Sequence, residues 1–289
     1  MDDFKYLLNK EHNKKCLILG GSPSIEDIQF EKFDGIIISM GNIPIRIKDR
    51  REVNYWVNAN SLFPRPDKHY DILNEFKNTV LIFSSSVLNS AETLDYNQIK
   101  KKLKIKWFDY DQRHFNGLNC NEQSDYRFNL NKSLNCCFYK KGITIQEYLK
   151  NIYKTDSHYS TGSTVAIHSI AIAMILGCKE IYISGVDLPI YEKNYRHYGS
   201  SKFKLLYNFL NEILKGERTI PLRRVLSILF KTNQKSVFYE DIPKILNDFE
   251  YLNNLCISNK IKLYNLSSGS TLNKIHNLKF LDPKDFNNF

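Results

Sequence analysis

The chain has 289 residues, 42% of them hydrophobic, enough for a core and too many for wholesale disorder. No run approaches the roughly 18 apolar residues of a membrane span, and MDDFKYLLNKEHNKK lacks the basic-then-apolar order of a signal peptide, so a cytoplasmic protein is expected. The formal charge of +10 calls for an anionic partner, but the Lys and Arg are spread along the chain, and the many Lys, Asn and Ile point to an AT-rich genome, so no nucleic-acid partner is assigned.

Lys15 to Leu19 (KCLIL) is expected to be a short strand. It runs into Gly20-Gly21-Ser22-Pro23-Ser24, where two glycines leave room for close backbone approach. Ser22 or Ser24 can cap a helix whose first turn holds Pro23. Strand, glycine turn and capped helix start together could bind an anion through free N–H groups. The stretch is neither a dinucleotide GxGxxG nor a P-loop, and an ordinary βα turn would look the same.

Further buried strands are expected at Asp34 to Ser39, Asn54 to Ala59, Thr79 to Ser86 and Lys104 to Phe108. Several end in Gly, Ser or Asn, including Asn42, Asn58 and Asn60, as the ligand edge of a parallel sheet should. The helices between are short and polar, as at Tyr70 to Lys77. Asp109-Tyr110-Asp111 has the DxD form that many nucleotide-sugar transferases use to hold a divalent metal. The triplet is short and common, a solvated turn is the expected structure, and no metal is assigned.

Residues 112 to 158 are polar, aromatic and irregular, like a lid or binding loop, with a helix expected from Ile143 to Tyr153. Ser160-Thr161-Gly162 then precedes Val165 to Leu176, apolar almost all round like a helix covering a sheet, with Gly177 as its C-cap. Ile181 to Ile183 is a buried strand ending at Gly185-Val186-Asp187. The loop beyond it holds Tyr191, Tyr195, Arg196, His197 and Tyr198, where ligands bind in an open α/β sheet.

Residues 203 to 236 form a helical insertion, and 203 to 231 within it is a basic amphipathic stretch that could lie on an anionic membrane surface or pack on the main domain. Asp241 to Ile257 is a further helix, Ile261 to Leu266 a final strand ending in Ser267-Ser268-Gly269-Ser270, and 273 to 289 a polar tail. The six cysteines contain no CxxC pair and no metal spacing, so reduced structural thiols are expected.

The expected fold is therefore α/β: a single Rossmann-like domain with a mostly parallel sheet, a lid segment and a helical insertion. Two segments resemble the sialyltransferases that use CMP-activated sialic acid. The strand with Gly20-Gly21-Ser22-Pro23-Ser24-Ile25, followed by Phe33 to Asn42, is similar to the N-terminal nucleotide motif of the bacterial lipooligosaccharide enzymes and to the large sialyl motif of the animal ones. Ser160-Thr161-Gly162 with the helix and Lys179 to Asp187 resembles the second motif of both groups. Asn194-Tyr195-Arg196-His197-Tyr198 resembles the aromatic-His-His-Tyr motif of the animal family, and Lys260 to Tyr264 also has a counterpart.

The resemblance implies a metal-independent, inverting enzyme without a resident cofactor, with a CMP-sugar as donor and a bacterial surface glycan as acceptor. By this likeness Gly20, Gly21, Ser22, Ser24, Asn42, Asn58 or Asn60, Tyr191 and Tyr198 would contact nucleotide or donor. Ser160, Thr161 and Gly162 would hold cytidine and ribose. Tyr195 would help the departing phosphate, His197 would bind that phosphate or act as base, and Asp187 would join them in catalysis. The family's base histidine before the last helix has no counterpart in Ser236 to Asp241. The basic amphipathic pattern of 203 to 231 allows peripheral contact with the inner membrane face, and oligomeric state is left open.

The pattern from Thr161 through Asp187 to His197 also resembles flagellin nonulosonate transferases and an archaeal pterin diphosphokinase, which would need ATP and Mg²⁺ with Asp187 as a ligand. A non-catalytic nucleotide- or RNA-binding module is the third reading.

Overall fold

The structure is a computed structural model and describes residues 4–58, 69–84, 99, 101–110, 145–155, 164–188 and 238–287. Among the described residues eight strands form one sheet: β1 (Lys15–Leu19), β2 (Ile36–Met40), β3 (Tyr55–Asn58), β4 (Val80–Ser84), β5 (Trp107–Tyr110), β6 (Glu180–Ser184), β7 (Lys262–Asn265) and β8 (Lys279–Phe280). Their order is β5-β4-β3-β2-β1-β6-β7-β8, and every pairing is parallel.

Continuous apolar runs such as Ile36-Ile37-Ile38 form these strands because both faces of the sheet are covered. Alternate residues go to opposite layers. Cys16 and Ile18 pack with Ile36, Ile38 and Ile183 in one, and Leu17, Leu19, Ile37 and Trp56 lie in the other. The first layer is covered by three helices: α3 (Ile145–Tyr153), α4 (Val165–Ile175) and α5 (Phe238–Ser258). Shorter helices α1 (Ile43–Ile47), α2 (Tyr70–Asn74) and α6 (Pro283–Phe286) lie on the second.

Helix α4 is buried from Ala166 to Ile175, which accounts for its apolar circumference. Thr164 caps its start by accepting from the Ala166 amide. Gly177 ends it at φ +85°, as its sequence position implied. The N-terminal segment satisfies the helix's last carbonyls: the Asn9, Glu11 and Asn13 amides donate to the oxygens of Ile175, Leu176 and Gly177 at 2.9, 2.8 and 3.0 Å. In α5, Ile245, Phe249, Leu252 and Cys256 fall on one helical stripe and are all buried.

Three expectations are corrected. The fifth strand is Trp107–Tyr110, not 104 to 108, so Asp109 and Tyr110 belong to a strand instead of a solvated turn; Asp111 lies outside the described residues. The run KIKWFDY offers little to fix its ends, and pairing with β4 from Leu81 to Ser84 sets them. Residues 273 to 289 are not simply a polar tail. They supply β8, paired to β7, and α6, capped by Asp282, whose Oδ1 accepts from the Lys284 amide at 2.8 Å. Third, α5 starts earlier than 241.

Phe286 on α6 is 4% exposed, stacked on Phe33 with ring centroids 5.5 Å apart and tilted against Tyr182 at 5.2 Å. The few apolar residues of this tail are too sparse to form a pattern that announces the burial of Phe286. Phe286→Ala is expected to destabilise the fold by about 2–3 kcal/mol, below the usual range for a buried phenylalanine because a helix near the chain end can relax into the gap. Denaturant unfolding of the variant measures this.

Cys16, Cys178 and Cys256 are free and buried, and burial pushes the Cys256 thiol up to about 12. Among the described residues no helix is long and apolar enough to cross a membrane. The 112 to 144 part of the lid-like segment and the whole 203 to 236 insertion lie outside them.

Candidate functional site

Strand order reverses between β1 and β6: β2 to β5 lie on one side of β1, and β6 to β8 on the other. Such a switch point opens a crevice beyond the strands' carboxyl ends. The chain leaves β1 at Leu19 and β6 at Ser184, which are paired in register. The crevice floor is therefore Gly20 to Ser24 facing Gly185 to Leu188.

The floor is closed backbone against backbone. The Gly20 amide donates to the Ser184 oxygen at 2.8 Å, and the Ser22 amide to the Gly185 oxygen at 2.8 Å. A Cβ on Gly20 would sit 2.2 Å from the Gly185 oxygen, and one on Gly185, at φ +73°, would sit 2.5 Å from the Gly20 oxygen. Only a glycine pair lets the two turns approach this closely.

Part of the expected anion cradle is used within the protein. Pro23–Asp27 is a 3₁₀ turn of five residues, and Ser22, at its N-cap position, makes no side-chain cap. The Ser22 hydroxyl accepts the Asp187 amide instead, at 3.2 Å. The Gly20 and Ser22 amides are committed to β6 and are not free for an anion. Gly20 thus serves the contact with the end of β6.

Ser24 stands where three segments meet. Its Oγ donates to Asp187 Oδ1, lies 2.7 Å from Ser267 Oγ and accepts the Gly185 amide at 3.2 Å. Its carbonyl accepts from Ser184 Oγ at 3.2 Å. Ser267 is buried in the loop that leaves β7. That loop also clasps the turn after β6: Ser270 Oγ, the Thr271 amide and Thr271 Oγ1 donate in succession to the carbonyls of Val186, Asp187 and Leu188, at 2.8, 3.1 and 2.6 Å. Leu188 is held at φ +42°, a left-handed conformation that costs a branched residue roughly 1–2 kcal/mol and persists because its neighbours fix it.

The structure thus brings together Gly20, Gly21, Ser22, Ser24 and Asp187 of the expected site residues. Asn42 and Asn58 lie on the same carboxyl edge but beyond β2 and in β3. Asn42 is exposed at the head of α1, and Asn58 is 1% exposed. Asn60, Ser160, Thr161, Gly162, Tyr191, Tyr195, His197 and Tyr198 lie outside the described residues. Among the described residues no group of three His, Cys, Asp or Glu could hold a metal ion.

Ser267, Ser270 and Thr271 were not among the expected site residues. The signal was present, because Ser267-Ser268-Gly269-Ser270 ends a strand in small polar residues, as the other candidate edges do. The walls are lined with hydroxyls and one carboxylate that engage one another across the three segments.

Fold and crevice define the class: an open, doubly wound parallel α/β domain with a polar site at its switch point. No family model matches the chain, and no curated protein matches it. Among solved structures it is similar to the sialyltransferase CstII from Campylobacter jejuni in complex with CMP-3FNeuAc, at 16% identity and a TM-score of 0.40, covering 92% of this chain and 85% of that one. CST-II in complex with trisaccharide acceptor and CMP gives 17% identity and a TM-score of 0.41 over 92% and 86%. The monofunctional α-2,3-sialyltransferase Cst-I from Campylobacter jejuni gives 15% and 0.42 over 92% and 80%. At these values the likeness carries no conclusion about activity.

Proposed function

We propose that the protein is a sialyltransferase-like glycosyltransferase that moves a nonulosonic acid, or a related Kdo-type sugar, from a CMP-activated donor to a bacterial surface glycan. The carrying observation is the meeting of two stretches 163 residues apart: Ser24 of the first motif donates to Asp187 of the second, at the sheet's switch point. Sequence resemblance pairs the same two stretches as halves of one nucleotide site.

In this reading an acceptor hydroxyl attacks the anomeric carbon of the donor. The bond to phosphate breaks, CMP leaves with the electron pair, and the configuration inverts. A base takes the acceptor proton, a role that suits His197 or a carboxylate. Tyr195 and other hydroxyl donors meet the charge growing on the phosphate, so the reaction needs no metal. Ser160, Thr161 and Gly162 hold cytidine and ribose, and the basic stretch 203 to 231 brings the enzyme to the inner membrane face. In the diphosphokinase reading Asp187 would serve as a Mg²⁺ ligand.

Thermal unfolding with CMP, CDP, UDP, ADP and ATP, each with and without EDTA, tests the reading. CMP at a hundred times its Kd is expected to add about 2.7 kcal/mol and raise Tm by roughly 5–10 °C, with or without chelator. A response to ATP that requires Mg²⁺ would overturn it in favour of the kinase. Binding only to oligonucleotides, weakening with salt, would overturn it in favour of the module.

A further inference from the structure

We propose that Ser24 is a positioning residue: it ties Asp187 and the Ser267 loop into one preformed wall and does not itself contact the donor. This rests on the crevice being the nucleotide site. A serine hydroxyl has one proton and two lone pairs. The Ser24 proton goes to Asp187 Oδ1. One lone pair takes the Gly185 amide, at 3.2 Å. With the proton so committed, the 2.7 Å contact with Ser267 has Ser267 as donor, which fills the second lone pair. The hydroxyl is then saturated, and a ligand could engage it only by displacing one of these partners.

What Ser24 secures is the shape of the turn beyond β6. Asp187 is gripped three ways: its carboxylate by Ser24, its amide by Ser22 and its carbonyl by the Thr271 amide. The next residue, Leu188, is held left-handed with its carbonyl on Thr271 Oγ1. A turn carrying this strain keeps one conformation only while its bonds persist. Ser24 is the hydroxyl that links the turns after β1 and β6 to the loop after β7.

Two measurements on the full chain test this. Ser24→Ala is expected to speed amide exchange at residues 185–188 and 267–271 in the ligand-free protein, with Ser24→Thr, which keeps the hydroxyl, restoring protection. In a cycle of Ser24→Ala, Asp187→Ala and the double variant, CMP affinity is expected to fall about tenfold or more in each single variant and no further in the double. Losses that multiply in the double variant would make Ser24 a direct ligand and overturn the proposal. Unaltered CMP affinity in Ser24→Ala would do so too, as would unaltered exchange. Wild-type protein that ignores CMP would defeat the proposed function instead, and the exchange arm would then decide the role of Ser24 alone.

Discussion

Gly20→Ala is expected to cost at least about 4 kcal/mol, enough to remove most of the protein's stability. The methyl would stand 2.2 Å from the Gly185 oxygen and 2.7 Å from Val186 Cγ2. The first atom is backbone and cannot rotate away. Relief would require β1 and β6, paired from Lys15↔Glu180 to Leu19↔Ser184, to part at the sheet's centre. Gly269 makes the control, because a Cβ there meets nothing within 4 Å, and its alanine variant should stay within about 0.5 kcal/mol of wild type. Chemical denaturation of both variants gives the comparison. Equal stabilities would mean the two turns are not in contact.

On the proposed function, His197→Ala is expected to lower sugar transfer at least about a hundredfold, as loss of general acid–base chemistry should. The pH profile of the native enzyme separates the two roles open to this side chain. A base works as neutral imidazole, so the rate would rise with pH as the imidazole loses its proton. A phosphate ligand works as imidazolium, so the rate would fall with the loss of that proton. Near-normal turnover in the alanine variant would remove His197 from the mechanism under either role.

Much of this molecule is legible residue by residue. Ile36 to Ser39 and Leu17 to Leu19 could be little but buried strands, since no amphipathic face is left to expose. Gly177 ends α4 where expected, because a positive φ favours glycine. The edges were harder. The start and end of β5 depend on its pairing with β4, and Phe286 enters the core because Phe33 and Tyr182 leave it a place. At the site, the turn after β1 was read as an anion cradle, and in the fold the Gly20 amide meets the Ser184 carbonyl. That amide turns to β6, a strand whose nearness nothing local reveals.

Local pattern alone settled that the chain alternates buried parallel strands with helices, and that those strands end in small polar residues. Apolar periodicity acts over a few residues, so it can be read from neighbours in the chain. Which strand ends adjoin is a long-range choice. It depends on packing across the whole sheet, and here it set β1 beside β6 and drew the loop after β7 over both. That choice decided where the Ser24 proton goes, because a hydroxyl's single proton is assigned by the acceptor the fold brings to it.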